Sequence, residues 1–287
     1  MSDWLSLFQK PDPLEDGEAI EAWFNRMARR LLGGTRLLVG KQPHRFAEIE
    51  FYYFSPEHPD LFAHRDPIQL QTGRWYFHRT RGVYRGGSFK GFDLTFGDGQ
   101  AFGGVLIRSI EKPDGSLING PSLCVDHLID ATGAGGVADL DRVINERVAW
   151  DPTNPLTLEE GPDRGEPIFR TARYGLSLKR MRHSPDPPRF IMRPYRYLNE
   201  PKRISKGKAH LVLALHTQGL ELTEILDKTG SSKGSAQRYI KDFEAGQLEA
   251  DLTPYWGTDL SPTELCKLHG VCNAKWGTMT PGELPEG

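Results

Sequence analysis

Apolar residues recur at helical spacing near the start of the chain: Ala19, Ile20, Trp23, Phe24, Met27, Ala28 and Leu31. Gly33-Gly34 stops that run, so the pattern predicts an amphipathic helix over 17–32. A short apolar strand follows from Thr35 to Gly40. The next stretch, "RFAEIEFYYFSPEHPDLFAHRD" (residues 45–66), changes its period to two. Ile49, Phe51 and Tyr53 fall on one strand face, which reads as core, while Glu48, Glu50 and Tyr52 share the other. Two carboxylates and a phenol on one half-buried strand raise a chemical question, and His64 lies a short way downstream. Taken alone, alternating carboxylates mark the wet face of an antiparallel strand.

Residues 55–73 read as a loop. Residues 74–90 hold Arg74, His78, Arg79, Arg81, Arg85 and Lys90 with no acid among them, interleaved with Trp75, Tyr76, Phe77, Tyr84 and Phe89. Basic and aromatic residues in this mixture suit backbone contacts and base stacking, or a solvated charged loop. "FDLTFG" and "AFGGVLIRSIE" read as strands, the second apolar enough to be buried. A turn and Pro121 open a helix that runs to about Ala131. Asp151 to Pro167 reads as a loop rich in Pro, Gly and acid.

Twelve Lys or Arg occur from Arg170 to Lys208, against Asp186 and Glu200. After Ser205 three helical segments are expected: Ala209–Thr217, Leu222–Thr229 and Lys233–Phe243. A tight Gly230-Ser231-Ser232 turn precedes the last, which carries Lys233, Ser235, Gln237, Arg238 and Lys241. That layout matches a helix-turn-helix, and equally a plain three-helix packing module. The fold expected is therefore α+β: a curved mixed or antiparallel sheet with flanking helices over 1–204, then a small all-helical module over 205–287.

Composition narrows the classes. The chain has 287 residues, 38% hydrophobic and 26% charged, with a formal net charge of -2. That composition is ordinary for a globular protein and fits disorder or a fibre poorly, and the net charge excludes a uniformly basic nucleic-acid coat while leaving room for a local basic face. Cys124, Cys266 and Cys272 make no disulfide framework and point to a reducing compartment, cytoplasmic or nuclear. The start of the chain lacks the regions of a signal peptide, and no apolar run is long enough to span a membrane. Cys266, His269 and Cys272 are tightly spaced, but a structural zinc wants four ligands and no fourth is evident.

Seven short segments occur in a fixed order: "ARRLLGG", "AEIEFYY", "FAHR", "GGVLIRSIE", "INGPSLCVDHLI", "TARYGL" and "PPRFIMR". Each is short, and their shared order is the specific part. Over roughly residues 28–197 the chain resembles the alkyladenine (3-methyladenine) DNA glycosylase family of the mammalian type. That resemblance implies a monomeric hydrolase acting on DNA. It removes damaged purines by cleaving the N-glycosidic bond of a flipped-out nucleotide, with no metal or organic cofactor. It implies that Glu50 is the carboxylate that activates water and that Arg108 helps hold that water. The backbone carbonyl of Tyr174 would complete the water site, Tyr52 would stack on the flipped base, and His64 would contact base or backbone. Other roles stay open on the residues themselves: Glu48 as partner of a basic residue, Arg108 as its counter-ion, Tyr52 as sheet packing and His64 as a loop histidine.

The chain departs from the family's pattern in three places. Lys90 stands where the family inserts a tyrosine into the duplex, leaving Phe89 or Phe92 as the apolar wedge. Near Gly97 the family's purine-discriminating asparagine is absent. Leu123 replaces a polar residue in the helix-start motif. The range of bases is therefore expected to differ. The rival expectation is a non-catalytic DNA-binding protein on the same fold, acting through the helix-turn-helix and Arg238.

Overall fold

The computed structural model describes residues 3–11, 17–179, 190–249, 251–277 and 282–283. Residues 180–189, part of the basic segment and of the "PPRFIMR" motif, lie outside the described residues. The chain divides into two compact units, Met1–Glu166 and Pro167–Gly287.

In the first unit, α1 (Trp4–Phe8) and α2 (Gly17–Gly34) precede β1 (Thr35–Val39) and β2 (Gln42–Phe54). β3 (Thr72–Phe77) leads into a small hairpin, β4 (Arg79–Thr80) and β5 (Val83–Tyr84). A single 3-10 turn, Gly87–Phe89, then leads to β6 (Phe92–Phe96) and β7 (Phe102–Glu111). β8 (Leu117–Asn119), α3 (Pro121–Thr132), α4 (Val137–Ile144) and β9 (Leu156–Glu160) complete the unit. The strands β2, β7, β6 and β3 lie side by side, each pair antiparallel. β1 pairs with the start of β2 and with β9, and β8 pairs with the end of β7.

The alternation in β2 settles as the sequence pattern predicts. Ile49, Phe51 and Tyr53 are buried under α2. The Phe24 ring stacks on Phe51 with centroids 4.6 Å apart, and Trp23 meets Phe96 and Tyr53 edge-on at 5.3 and 5.6 Å. Each such side chain contributes about 1.5–3 kcal/mol by leaving water. Trp4 and Phe8 of α1 stack on Trp150, whose ring lies where a Cβ at Gly73 would sit. The helix over 17–34 therefore covers one face of the sheet and leaves the Glu48–Glu50–Tyr52 face for the site.

The second unit contains β10 (Phe169–Thr171) and β11 (Arg196–Leu198), an antiparallel pair. It continues with α5 (Lys208–Thr217), α6 (Leu222–Thr229), α7 (Lys233–Leu248), α8 (Pro262–Trp276) and β12 (Gly282–Glu283). The helix expectations for this region are met within one residue at α5 and α6. The unit is not all-helical, and it begins before residue 205, because α5 packs on β10 as well as on the other helices. α5 is apolar round its whole circumference, as a central helix must be. α6 ends at Gly230, whose φ of 65° suits a residue without Cβ. Ser232 caps α7 by accepting from the Ser235 N–H. α7 and α8 approach closely because Gly246 and Gly270 carry no side chains where each helix's carbonyls pass the other. Among the described residues no helix is long and apolar enough to cross a membrane.

Candidate active site

Glu48 and Glu50 lie on the face of β2 away from α2, and both are almost wholly buried, at 1% and 0% exposure. β7 supplies their partners through an irregularity in its pairing. The register runs Phe46↔Ile110, Glu48↔Ser109, Ile49↔Ile107, so Ala47 on β2 and Arg108 on β7 are both extra residues. On a regular strand Arg108 and Ser109 would point to opposite faces. A bulge turns both toward one face. Arg108 Nε donates to Glu48 Oε1 at 3.0 Å, and Ser109 Oγ donates to Glu48 Oε2 at 2.7 Å. Arg108 also donates through Nη1 to Glu50 Oε2 at 3.3 Å, and the Tyr52 hydroxyl donates to that same oxygen at 2.8 Å.

The glycine–proline–serine helix start holds this bulge. The Arg108 carbonyl accepts the Gly120 N–H at 2.8 Å and the Cys124 thiol at 3.5 Å. Gly120 adopts φ 132°, a conformation that side chains disfavour, and Pro121 begins α3 directly after it. Burial pushes the Cys124 thiol up, so it stays protonated as a donor. Burial also works against the charge on Arg108, but the carboxylates of Glu50 and Glu48 outweigh it and hold the guanidinium charged. Arg108 is thus counter-ion to Glu48 and also a neighbour of Glu50.

A second polar group lies on the same face of the sheet. Tyr76, Asp93, Leu106 and Glu50 are aligned across β3, β6, β7 and β2. Asp93 is thus two strand spacings from Glu50, about 10 Å. Asp93 Oδ1 bonds His78 Nε2 at 2.7 Å, and Asp93 Oδ2 accepts from buried Gln69 at 3.0 Å. His64 sits against them, its ring 4.3 Å from that of His78 and its Nδ1 3.5 Å from the Tyr76 hydroxyl. Burial, then the neighbouring His78, lowers the His64 pKa to about 4, and burial raises that of Tyr76 to about 12. His64 is therefore a neutral imidazole at pH 7. Asp93, Gln69 and Ser109 carried no signal in the sequence, because their partners come from distant segments, and His78 stood out only as one of the basic residues of 74–90.

The structure sorts the basic and aromatic segment 74–90. Trp75, Tyr76 and Phe77 are buried at 1% exposure and belong to packing, not to a stacking surface. The Tyr84 hydroxyl donates to Asp141 at 2.5 Å and its ring lies under Arg79, which pairs with the same Asp141. Tyr84 therefore ties the β4–β5 hairpin to α4. Lys90 is ion-paired with Asp126 on α3. Phe92 is fully buried, whereas Phe89 is 75% exposed on its turn, so of the two wedge candidates only Phe89 has a free ring. Ser122 Oγ donates to the Gly87 carbonyl at 2.7 Å and steadies that turn. Leu123, one residue on, is exposed.

In the second unit, Tyr174 is 37% exposed and its ring meets His210 edge-on at 6.2 Å. Arg238 is exposed on α7 beside Tyr239, and Lys233, Gln237 and Lys241 form an exposed stripe on the same helix. Not all of the basic segment faces solvent. Arg173 and Arg196 are buried and donate to the backbone carbonyls of Phe190, and of Lys206 and Gly207, respectively. Lys208 donates to the Pro201 carbonyl at 2.6 Å. Cys266 and Cys272 are buried in α8, and His269 bonds His210 at 2.7 Å, so these three serve packing.

The sequence is 30% identical to "Uncharacterized protein L759" of Acanthamoeba polyphaga mimivirus over 206 residues, covering 67% of this chain and 92% of the viral protein. The chain belongs to the family of that viral protein. No family model matches the sequence. No solved structure matches it either.

Proposed function

We propose that the protein is a DNA glycosylase, one that hydrolyses the N-glycosidic bond of a flipped-out alkylated or otherwise modified base and leaves an abasic site. The observation that carries this reading is the arrangement of Glu50, a wholly buried carboxylate on which Arg108 and Tyr52 converge. Glycoside cleavage needs a carboxylate beside the anomeric carbon that accepts a proton from water and faces the positive charge of an oxocarbenium-like transition state. In this reading the water oxygen attacks C1′ and its proton passes to Glu50. The base departs with the electron pair of the broken C–N bond. Arg108 and Tyr52 fix the carboxylate's orientation before substrate arrives, so no reorganisation is needed during the reaction. Glu48 acts through Arg108 as a positioning residue. His64, a neutral donor or acceptor on the same face, suits contact with the flipped base.

The motif order over residues 28–197 supports the same reaction class. Phe89 supplies the exposed apolar ring that a flipped-out nucleotide requires in its vacated place. The absence of an asparagine near Gly97 argues for bases other than ordinary alkylpurines.

A single-turnover excision assay tests the reading. Duplex and single-stranded DNA carrying methylated purine, hypoxanthine or bulky modified pyrimidines are incubated with wild type and Glu50→Gln. Abasic sites from wild type that vanish in the variant are the expected result. DNA binding without any abasic product would favour the second reading, a non-catalytic DNA-binding protein. The observation behind that reading is the exposed Lys233–Gln237–Lys241 stripe with Arg238, on the helix that follows the tight Gly230 turn.

A further inference from the structure

We propose that His64, His78 and Asp93 form a binding site for one divalent first-row transition metal, zinc or cobalt in the simplest case, on the same sheet face as Glu50. The candidate ligand atoms of these three residues all lie within 4.8 Å of one another. Tetrahedral zinc with imidazole nitrogens at about 2.0–2.1 Å places its ligands about 3.3 Å apart. His78 Nε2 and Asp93 Oδ1, at 2.7 Å, are already inside that separation. His64 is the residue that has to close in, and it lies on the long connection between β2 and β3, whereas His78 sits in the short link between β3 and β4 and Asp93 on β6. Two imidazoles and one carboxylate are a donor set that suits zinc, cobalt or iron and not calcium or magnesium, which prefer oxygen throughout.

The surroundings resemble those of ligands held ready for a cation. Asp93 Oδ2 is fixed by the buried Gln69 amide, an outer hydrogen bond of the kind that orients a ligating carboxylate. Room for that amide exists because residue 104 is glycine. A Cβ there would lie 2.6 Å from Gln69 Nε2 and 2.8 Å from Asp93 Oδ2. The His78 ring is likewise held against Gly91, where a Cβ would come within 2.7 Å of Nδ1. Three protein ligands leave a coordination position for water or an anionic oxygen such as a phosphodiester. With Asp93 two strand spacings, about 10 Å, from Glu50, such a position suits the backbone flanking a nucleotide whose C1′ is at the carboxylate. That last use rests on the proposed glycosylase reading. Metal binding itself does not.

The experiment titrates chelator-treated full-length protein with Co²⁺ and then Zn²⁺, reading the visible absorption of bound cobalt and the stoichiometry by calorimetry. One equivalent is expected, with cobalt bands lacking thiolate charge transfer, and zinc should displace the cobalt. His78→Ala and Asp93→Asn should each weaken binding at least tenfold, and Gln69→Leu about tenfold through the outer hydrogen bond. His64→Ala removes only a loop ligand and provides a variant whose strands are untouched; it should also lose at least tenfold. His127→Ala, at a separate His44–His127 pair, should leave binding unchanged. Circular dichroism and melting confirm that each variant is folded. Absence of saturable binding, a thiolate band, or unchanged affinity in folded His64→Ala would overturn the proposal. None of these readouts depends on excision, so failure here is distinct from failure of the glycosylase reading.

Discussion

Two carboxylate groups share one face of the sheet, and they are built in opposite ways. Around Glu50, Tyr52 comes from its own strand and Arg108 from the neighbouring one, with Glu48 and Ser109 from the same two strands beside them. Around Asp93 the partners are imidazoles and an amide, and two of them, His64 and Gln69, come from the segment between β2 and β3. The first group holds a permanently charged guanidinium. The second holds two imidazoles, of which His64 is kept neutral by burial. The contrast separates a rigid, pre-charged site from an adaptable one.

The largest effect should come from breaking the first group. Arg108→Leu removes one partner of a buried ion pair and strands Glu48 and Glu50 in the interior. A loss of about 3–5 kcal/mol of stability is expected, read as a large fall in the denaturant midpoint. A midpoint shift under about 1 kcal/mol would mean that Arg108 is not the main counter-charge. Glu50→Gln should leave the fold intact, since the amide still accepts from Tyr52 and Arg108. Excision under single turnover should drop by about 10²–10⁴-fold, the range for loss of a positioned general base. Equal rates in both proteins would remove Glu50 from the chemistry.

Phe89→Ala touches neither group. Its expected effect is roughly tenfold weaker excision from duplex DNA with little change on single strands, since a wedge matters only where a stack must be held open. Equal losses on both substrates would assign the ring to general binding instead. The smallest effect sharpens the contrast through pH. His64 has a folded pKa lowered to about 4, chiefly by burial, and so has His269 in the second unit. Both are neutral in the folded protein while the unfolded chain takes up protons below about pH 6.5. The unfolded state then binds more protons, so stability falls as pH drops from about 6.5 toward 4. Melting temperatures across that window should decline in wild type, and less steeply in His64→Gln. An unchanged slope in that variant would place the titration elsewhere.

Much of the frame was legible before any coordinates. The 3.6-residue period of 17–32, the two-residue period of β2 and the three helices after Ser205 all register local burial, which repeats along the chain. β9 was not legible. Leu156–Glu160 lies in a Pro, Gly and acid-rich stretch and becomes a strand because β1 offers an unpaired edge. The pairing of Arg108 with Glu48 was one open alternative, and its coexistence with the Glu50 contact depends on the bulge.

By itself, then, the sequence determined which face of β2 is core, which residues carry charge on the other face, and where α5 and α6 begin and end, while α7 runs on past Phe243 to Leu248 and α4 was not foreseen. Periodicity and capping are properties of neighbours in the chain. Tertiary structure alone decided that Arg108 and Ser109 turn to the same side, that Phe89 and not Phe92 is exposed, and that His64, His78 and Asp93 meet. Those outcomes depend on strand register, on a pair of compensating bulges and on glycines at 91 and 104 that leave room for side chains. Such features belong to contacts between segments far apart in the chain, and no local pattern encodes them.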